Sequence, residues 1–153
     1  MRTVILASSS PRRQALLKNL LSEFVVKPSD YEEDMTMKLG PAELAKKLSL
    51  GKAQDVARKY SDAIIIGADS LIAFAGQVLG KPRTEDSTRK MLTMLKGKQH
   101  SVVTGYSVID TRTGKVISRS VETRVLFKEL TDVEIENYIN TGEPQDRAGA
   151  YAI

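Results

Sequence analysis

Residues 3–7 form an unbroken apolar run rich in β-branched side chains, and the polar tract Ser8-Ser9-Ser10-Pro11 follows it. Leu16, Leu17, Leu20 and Leu21 then recur at helical spacing, so the order predicts strand, tight loop and helix. A second short strand over residues 24–26 leads into a polar segment, residues 28–40, that contains Glu32, Glu33 and Asp34. Its few apolar positions lack a helical period, and a loop of that length is expected to carry function. Gly40-Pro41 opens a helix to about residue 59, with Leu44, Leu48 and Val56 facing inward and proline in a tolerated first-turn position.

Ala63-Ile64-Ile65-Ile66-Gly67-Ala68 is apolar without alternation, which predicts a strand buried on both faces and ending at Asp69. Residues 71–79 read as a hairpin turning at Ala75-Gly76. Thr84-Glu85-Asp86 starts a helix through Met91, Leu92 and Leu95, which Gly97 stops. Residues 101–109 and 115–127 form a predicted long antiparallel pair joined through Asp110-Thr111-Arg112-Thr113-Gly114. Thr131-Asp132-Val133-Glu134 has the capping-box pattern of a last helix, closed before Gly142-Glu143-Pro144.

This succession predicts an α/β fold, a mixed sheet with flanking helices. With no internal repeat, low-complexity tract or linker, residues 1–153 read as a single domain. A new apolar segment starts at Ala148 and is still running at Ile153, so the expectation is a domain lacking its C-terminal portion.

Composition narrows the chemistry. Apolar residues at 41% and charged residues at 27% match a folded globular chain and exclude collagen-like and disordered readings. The absence of cysteine removes disulfides, thiolate zinc sites and a cysteine nucleophile. His100 is the one histidine and no Gly-x-Ser-x-Gly sequence accompanies it, so a Ser-His-Asp hydrolase has no support; its simplest place is a strand edge. There is neither a Walker A loop nor a Gly-x-Gly-x-x-Gly turn.

The 23 Lys and Arg exceed the 19 Asp and Glu by four, but the basic residues are interspersed. A small anionic substrate accounts for that excess. Nucleic acid is not the expected partner, because aromatics make up only 5% and do not alternate with basic residues. The basic start with its Ala7-Ser8 imitates a secretory signal, yet its apolar run is too short, and no stretch approaches the roughly 18 apolar residues of a membrane helix. The expected location is the cytoplasm.

Three places hold candidate chemistry. At Ser8-Ser9-Ser10-Pro11-Arg12-Arg13, free N–H groups of a helix start, hydroxyls and two guanidiniums suit phosphate oxygens; capping serines with surface arginines are the alternative. Asp69 follows a buried strand, where open α/β sheets keep ligands; it would bind a hard cation or orient water, or else cap a turn. Glu32-Glu33-Asp34 offers oxygen ligands for Mg²⁺ or Mn²⁺, the alternative being a solvated charge run.

Two lysines add to these. Lys52 lies four residues after Leu48 and eight after Leu44, in the inward row of its helix, although such a stem commonly snorkels to solvent. Lys81, in Gly80-Lys81-Pro82, is held extended by the following proline. Together these cations and carboxylates make a phosphate-and-metal site if they converge.

Taken in order, Ile5-Leu6-Ala7-Ser8-Ser9-Ser10-Pro11-Arg12-Arg13, Glu32-Glu33, Lys52-Ala53, Ile66-Gly67-Ala68-Asp69-Ser70, Gly80-Lys81-Pro82 and the stretch from Gly142-Glu143-Pro144 to Tyr151 resemble the Maf family across essentially the whole chain. The resemblance implies a nucleoside triphosphate pyrophosphatase with a two-lobed mixed sheet and a central cleft, similar to the inosine triphosphate pyrophosphatases, and with a divalent metal, Mg or Mn, as cofactor. It implies that Ser8, Arg12 and Arg13 meet the triphosphate. The resemblance further implies that Glu33 and Asp69 organise metal and water, with Asp69 the general base, and that Lys52 and Lys81 balance phosphate charge.

Arg12 and the Gly67-Ala68-Asp69-Ser70 motif are similar to the branch acting on dTTP and UTP, in which Ser70 stands at a position usually held by Thr. The branch acting on 7-methyl-GTP usually has Trp and Gln at the two discriminating positions. A non-catalytic nucleotide- or nucleic-acid-binding regulator of septum formation, or the same reaction on 7-methyl-GTP or other modified nucleotides, is the alternative. A homodimer is compatible with any of these.

Overall fold

The computed structural model describes residues 2–145 and 147–151; Asp146 of the last motif, with Met1, Ala152 and Ile153, lies outside the described residues. The chain divides into two units, Met1–Asp69 with Thr104–Val121, and Ser70–Val103 with Glu122–Ile153. Strands run in the order β1 (Thr3–Leu6), β2 (Val25–Val26), β3 (Ala63–Phe74), β4 (Gln77–Leu79), β5 (Gln99–Asp110) and β6 (Val116–Leu126). The helices are α1 (Pro11–Lys18), α2 (Pro41–Ala57), α3 (Glu85–Leu95) and α4 (Asp132–Asn140). The sheet order is β2-β1-β3-β5-β6, with β4 paired to β3. Pairs β1–β2 and β1–β3 are parallel and β3–β4 is antiparallel, so the expected mixed α/β sheet is present.

In the first unit, α2 covers the sheet. Its Ala53 and Val56 pack with Ile5, Ala7, Ala63, Ile65 and Ile109 in one buried cluster. The approach is close because Gly67 of β3 and Gly105 of β5 lack side chains. A β-carbon at Gly67 would sit 2.9 Å from the Ala53 backbone nitrogen, and one at Gly105 would sit 2.7 Å from that of Lys46. Backbone thus lies on backbone, which only glycine permits.

Three sequence expectations change here. Strand β3 alternates: Ala63, Ile65, Gly67 and Asp69 are buried, whereas Ile64, Ile66, Ala68 and Ser70 are half-buried, so its second face is only partly covered. Nor does β3 end at Asp69. No glycine or proline separates Gly67 from the turn at Ala75-Gly76, and the ladder continues to Phe74. The helix predicted from the spacing of Leu16, Leu17, Leu20 and Leu21 is present but shorter, since α1 stops at Lys18, with no buried residue and with Leu16 and Leu20 exposed.

The second unit has its own core, in which Leu92 of α3 meets Ile135 and Ile139 of α4 together with Ala150. Thr84 and Thr131 cap α3 and α4 through the reciprocal hydrogen bonds of capping boxes. Residues 148–150 form a 3-10 turn instead of opening a strand; Gly149, at φ 70°, lies against Ile72, and its N–H reaches the Gly80 carbonyl at 3.1 Å. His100 is buried rather than at an open edge, with Nε2 2.5 Å from the Tyr151 hydroxyl. Burial lowers the His100 pKa and pushes Tyr151 up to about 12.

Candidate active site

Strand alternation decides where Asp69 points. It lies two residues beyond Gly67, on the face that carries α2, and β3 extends past the last β1 pairing at Ile66. Lys52 precedes Ala53, the α2 residue seated on Gly67. Helix and strand therefore deliver their polar side chains to one place. The Lys52 ammonium lies 2.5 Å from Asp69 Oδ1 and 2.7 Å from Glu33 Oε1. Asp69 is buried and Lys52 nearly so, while Glu33, on the loop before α2, is partly exposed.

Arg13 completes the cluster from the other side. Its Nη2 lies 3.8 Å from Asp69 Oδ1, and its Nη1 donates to Ser8 Oγ at 3.5 Å. The buried Ser8 hydroxyl also accepts from the Ser10 N–H at 3.2 Å, and Ser10 caps α1 by accepting from the Arg13 N–H. The serine-rich tract is thus both cap and site, because the cap fixes the helix turn that aims Arg13. Arg12, one residue earlier, is exposed.

The charges disturb each other. Burial raises the Asp69 pKa; Lys52 opposes this through charge and hydrogen bond, Glu33 adds to it, and Arg13 opposes it. Burial lowers the Arg13 pKa against the pull of Asp69 and Glu33, and the like charge of Arg12 lowers it further. Two carboxylates and two cations in contact form a poised site: an incoming polyanion competes for the cations, leaving oxygen donors beside it.

Among the described residues no three His, Asp or Glu side chains gather into a metal cage. Glu33 and Asp69 nevertheless converge on one point, now marked by the Lys52 ammonium. Two hard oxygen donors fit Mg²⁺ or Mn²⁺, which commonly bind through one or two carboxylates plus water and substrate phosphates. Five of the eight sequence candidates, Ser8, Arg13, Glu33, Lys52 and Asp69, join this network, and Arg12 adjoins it. Ser70 and Lys81 belong to the second unit, where Lys81 is exposed beside the Gly80 carbonyl that Gly149 engages.

Sequence reading missed what holds the acidic loop. Asp55 of α2 accepts from the Asp30 N–H at 2.9 Å and from Ser29 Oγ at 3.2 Å, and the Tyr31 ring lies directly over Gly51. Asp55 and Gly51, one helical turn apart and flanking Lys52, were the available signal; nothing in the loop named them as its anchors.

A family profile described as Maf-like protein matches residues 3–153. A dTTP/UTP pyrophosphatase from Methanosarcina mazei is 46% identical, the match covering 99% of this chain and 78% of the relative. One of the same name from Alkaliphilus oremlandii is 47% identical over 100% of this chain and 80% of its own. In fold, the chain is similar to a HAM1 protein from Coxiella burnetii, with TM-score 0.55 and 17% identity over 82% of this chain and 73% of that one. The Staphylococcus aureus Ham1 protein gives TM-score 0.55 and 14% identity over 82% and 71%.

Proposed function

The chain belongs to the Maf family, and from that premise we propose that it hydrolyses dTTP and UTP to the nucleoside monophosphate and pyrophosphate. The observation that carries this reading is the Lys52 ammonium shared by Asp69 and Glu33, with Arg13 on the same Asp69 oxygen. A site built only to hold anions gains little from two carboxylates beside its cations, whereas hydrolysis needs a base next to the phosphate. Relatives named dTTP/UTP pyrophosphatase, at 46% and 47% identity, support the same substrates.

The residues divide the work. Arg13 and Ser8, with the exposed Arg12, receive phosphate oxygens, and Lys52 turns from carboxylate to phosphate as the substrate arrives. Ser70 and Lys81 are assigned to the substrate on the resemblance of their motifs alone. Asp69 then takes a proton from water as the water oxygen bonds to the α-phosphorus. The bond between that phosphorus and the α–β bridging oxygen breaks, and pyrophosphate leaves with the electron pair. Burial favours this role, since it raises the basicity of Asp69. A bound Mg²⁺ or Mn²⁺, held by Glu33 and Asp69, would supply charge neutralisation and a more acidic water. No covalent intermediate is needed.

The reading places the reaction in the cytoplasm with free nucleotides, and no helix among the described residues is long and apolar enough to cross a membrane. The test is pyrophosphate release from dTTP, UTP, 7-methyl-GTP and ITP with Mg²⁺, Mn²⁺ or EDTA. dTTP and UTP should be cleaved fastest, and EDTA should stop turnover. Nucleotide binding with no release of pyrophosphate from any of them would instead support a non-catalytic binder.

A further inference from the structure

Glu33 reaches Lys52 from a segment without helix or strand, so its position depends on what pins that segment to α2. Two contacts do so. Asp55 receives the Asp30 N–H at 2.9 Å and the Ser29 hydroxyl at 3.2 Å, and Ser29 Oγ in turn accepts from the Tyr31 N–H at 2.9 Å. These bonds hold the Asp55 carboxyl below the usual carboxylate range, the Asp30 N–H foremost. One turn earlier in α2, the Tyr31 ring occupies the space over Gly51, where an added β-carbon would overlap Cζ, Cε1 and Cε2. Lys52 is the next residue, and Glu33 is two residues beyond Tyr31.

We propose that the Tyr31–Gly51 contact, braced by Asp55, is a positioning device that sets Glu33 against Lys52 and Asp69. Glycine at position 51 serves to admit an aromatic ring flush against the helix, and that ring fixes the height of the chain two residues before Glu33. Tyr31 lies over Gly51 and Glu33 reaches Lys52, the next residue of the helix, so both side chains turn to the same stretch of α2. Displacing the ring by one β-carbon moves Glu33 off the ammonium without touching Lys52, Asp69 or Arg13. This deepens the pyrophosphatase reading and rests on it: Tyr31, Gly51 and Asp55 act through Glu33.

The experiment compares wild type with Gly51→Ala, Tyr31→Phe, Glu33→Gln and the double variant Glu33→Gln/Gly51→Ala, reading kcat and KM for dTTP. Gly51→Ala should lower kcat by about tenfold or more while KM changes far less, since the loss is one of alignment. Tyr31→Phe keeps the ring and should stay near wild type. In the Glu33→Gln background, Gly51→Ala should change kcat by less than about twofold, the coupling expected when both act through one side chain. On the protein alone, amide hydrogen exchange over residues 29–34 should speed up in Gly51→Ala.

Asp55→Ala gives the same readings should Gly51→Ala not fold. Wild-type kcat in Gly51→Ala, an equal loss with and without Glu33, or unchanged exchange over residues 29–34 overturns the proposal. Absence of pyrophosphate release by the wild type would overturn the function instead, and the exchange result would still decide the positioning.

Discussion

Lys52 Nζ stands 2.5 Å from Asp69 Oδ1, and this pair is the hinge of the site's electrostatics. Burial alone drives Asp69 towards its neutral form, and Glu33 pushes the same way. Lys52 and then Arg13 act against this shift. A carboxylate held in that balance becomes a stronger base when its cations are drawn away by a phosphate, without any change in its own position.

Replacing Lys52 by Met should therefore destabilise the protein and inactivate it. The variant leaves Asp69 buried beside Glu33 without its ammonium, a loss of about 3–5 kcal/mol at neutral pH. The sign follows from an upward shift: a carboxyl whose folded pKa exceeds its unfolded value of 3.8 lowers stability as pH rises through that interval. The deficit of Lys52→Met, read by urea unfolding, should thus be larger at pH 7.5 than at pH 4.5. Adding Asp69→Asn should recover part of it. A deficit that is equal at both pH values would remove Asp69 as its source.

Asp69→Asn and Arg13→Ala should fail differently. The first keeps the size of the side chain but removes its negative charge and with it the proton acceptor, while the cations that meet phosphate remain, so turnover should drop by about a thousandfold or more while dTTP binding persists. The second removes a guanidinium that meets both Ser8 and Asp69, so binding and turnover should both fall. Calorimetric titration with dTTP separates them. Turnover by Asp69→Asn at the wild-type rate would exclude Asp69 from proton transfer.

How much of this was legible depends on whether the signal was local. The caps at Thr84 and Thr131, the turn at Ala75-Gly76 and the inward row Leu44, Leu48 and Lys52 follow from short-range spacing, and the structure has them all. Asp69 was found for an imperfect reason, since it lies inside β3 and not after it; what exposes it to chemistry is that its neighbour β1 ends first. The leucines of residues 16–21 misled because periodicity cannot show that α1 stops at Lys18. The loop anchors Tyr31, Gly51 and Asp55 were illegible because their partners are 20 or more residues apart and follow no period.

Glu134 provides a pH test away from the site. Lys128 chiefly, then the backbone and side chain of Thr131, hold its carboxyl down at about 2 from 4.5. A depressed folded pKa contributes stability above the unfolded value and loses it as pH falls towards the folded one. The Tm difference between wild type and Glu134→Gln should therefore be full at pH 7 and narrow steadily between pH 5 and pH 3. A difference that does not vary over that range would assign the effect to packing rather than charge.

The last prediction concerns Gly67, which touches no substrate in the proposed mechanism. A β-carbon there would lie 2.9 Å from both the Ala53 backbone nitrogen and its β-carbon, and against the Ser49 carbonyl. None of these is the free end of a flexible side chain, so α2 itself must lift from β3. Gly67→Ala should cost about 1–3 kcal/mol as an overpacked contact. Because Lys52 rides on the lifted helix and Asp69 on the fixed strand, the 2.5 Å pair should open and kcat should fall along with stability. Gly105→Ala is the matching control: it lifts α2 at Ala45 and Lys46, about two turns from Lys52, and should lose comparable stability with a smaller change in kcat. If the two variants lose activity in the same proportion to stability, the close seat at Gly67 serves the fold alone.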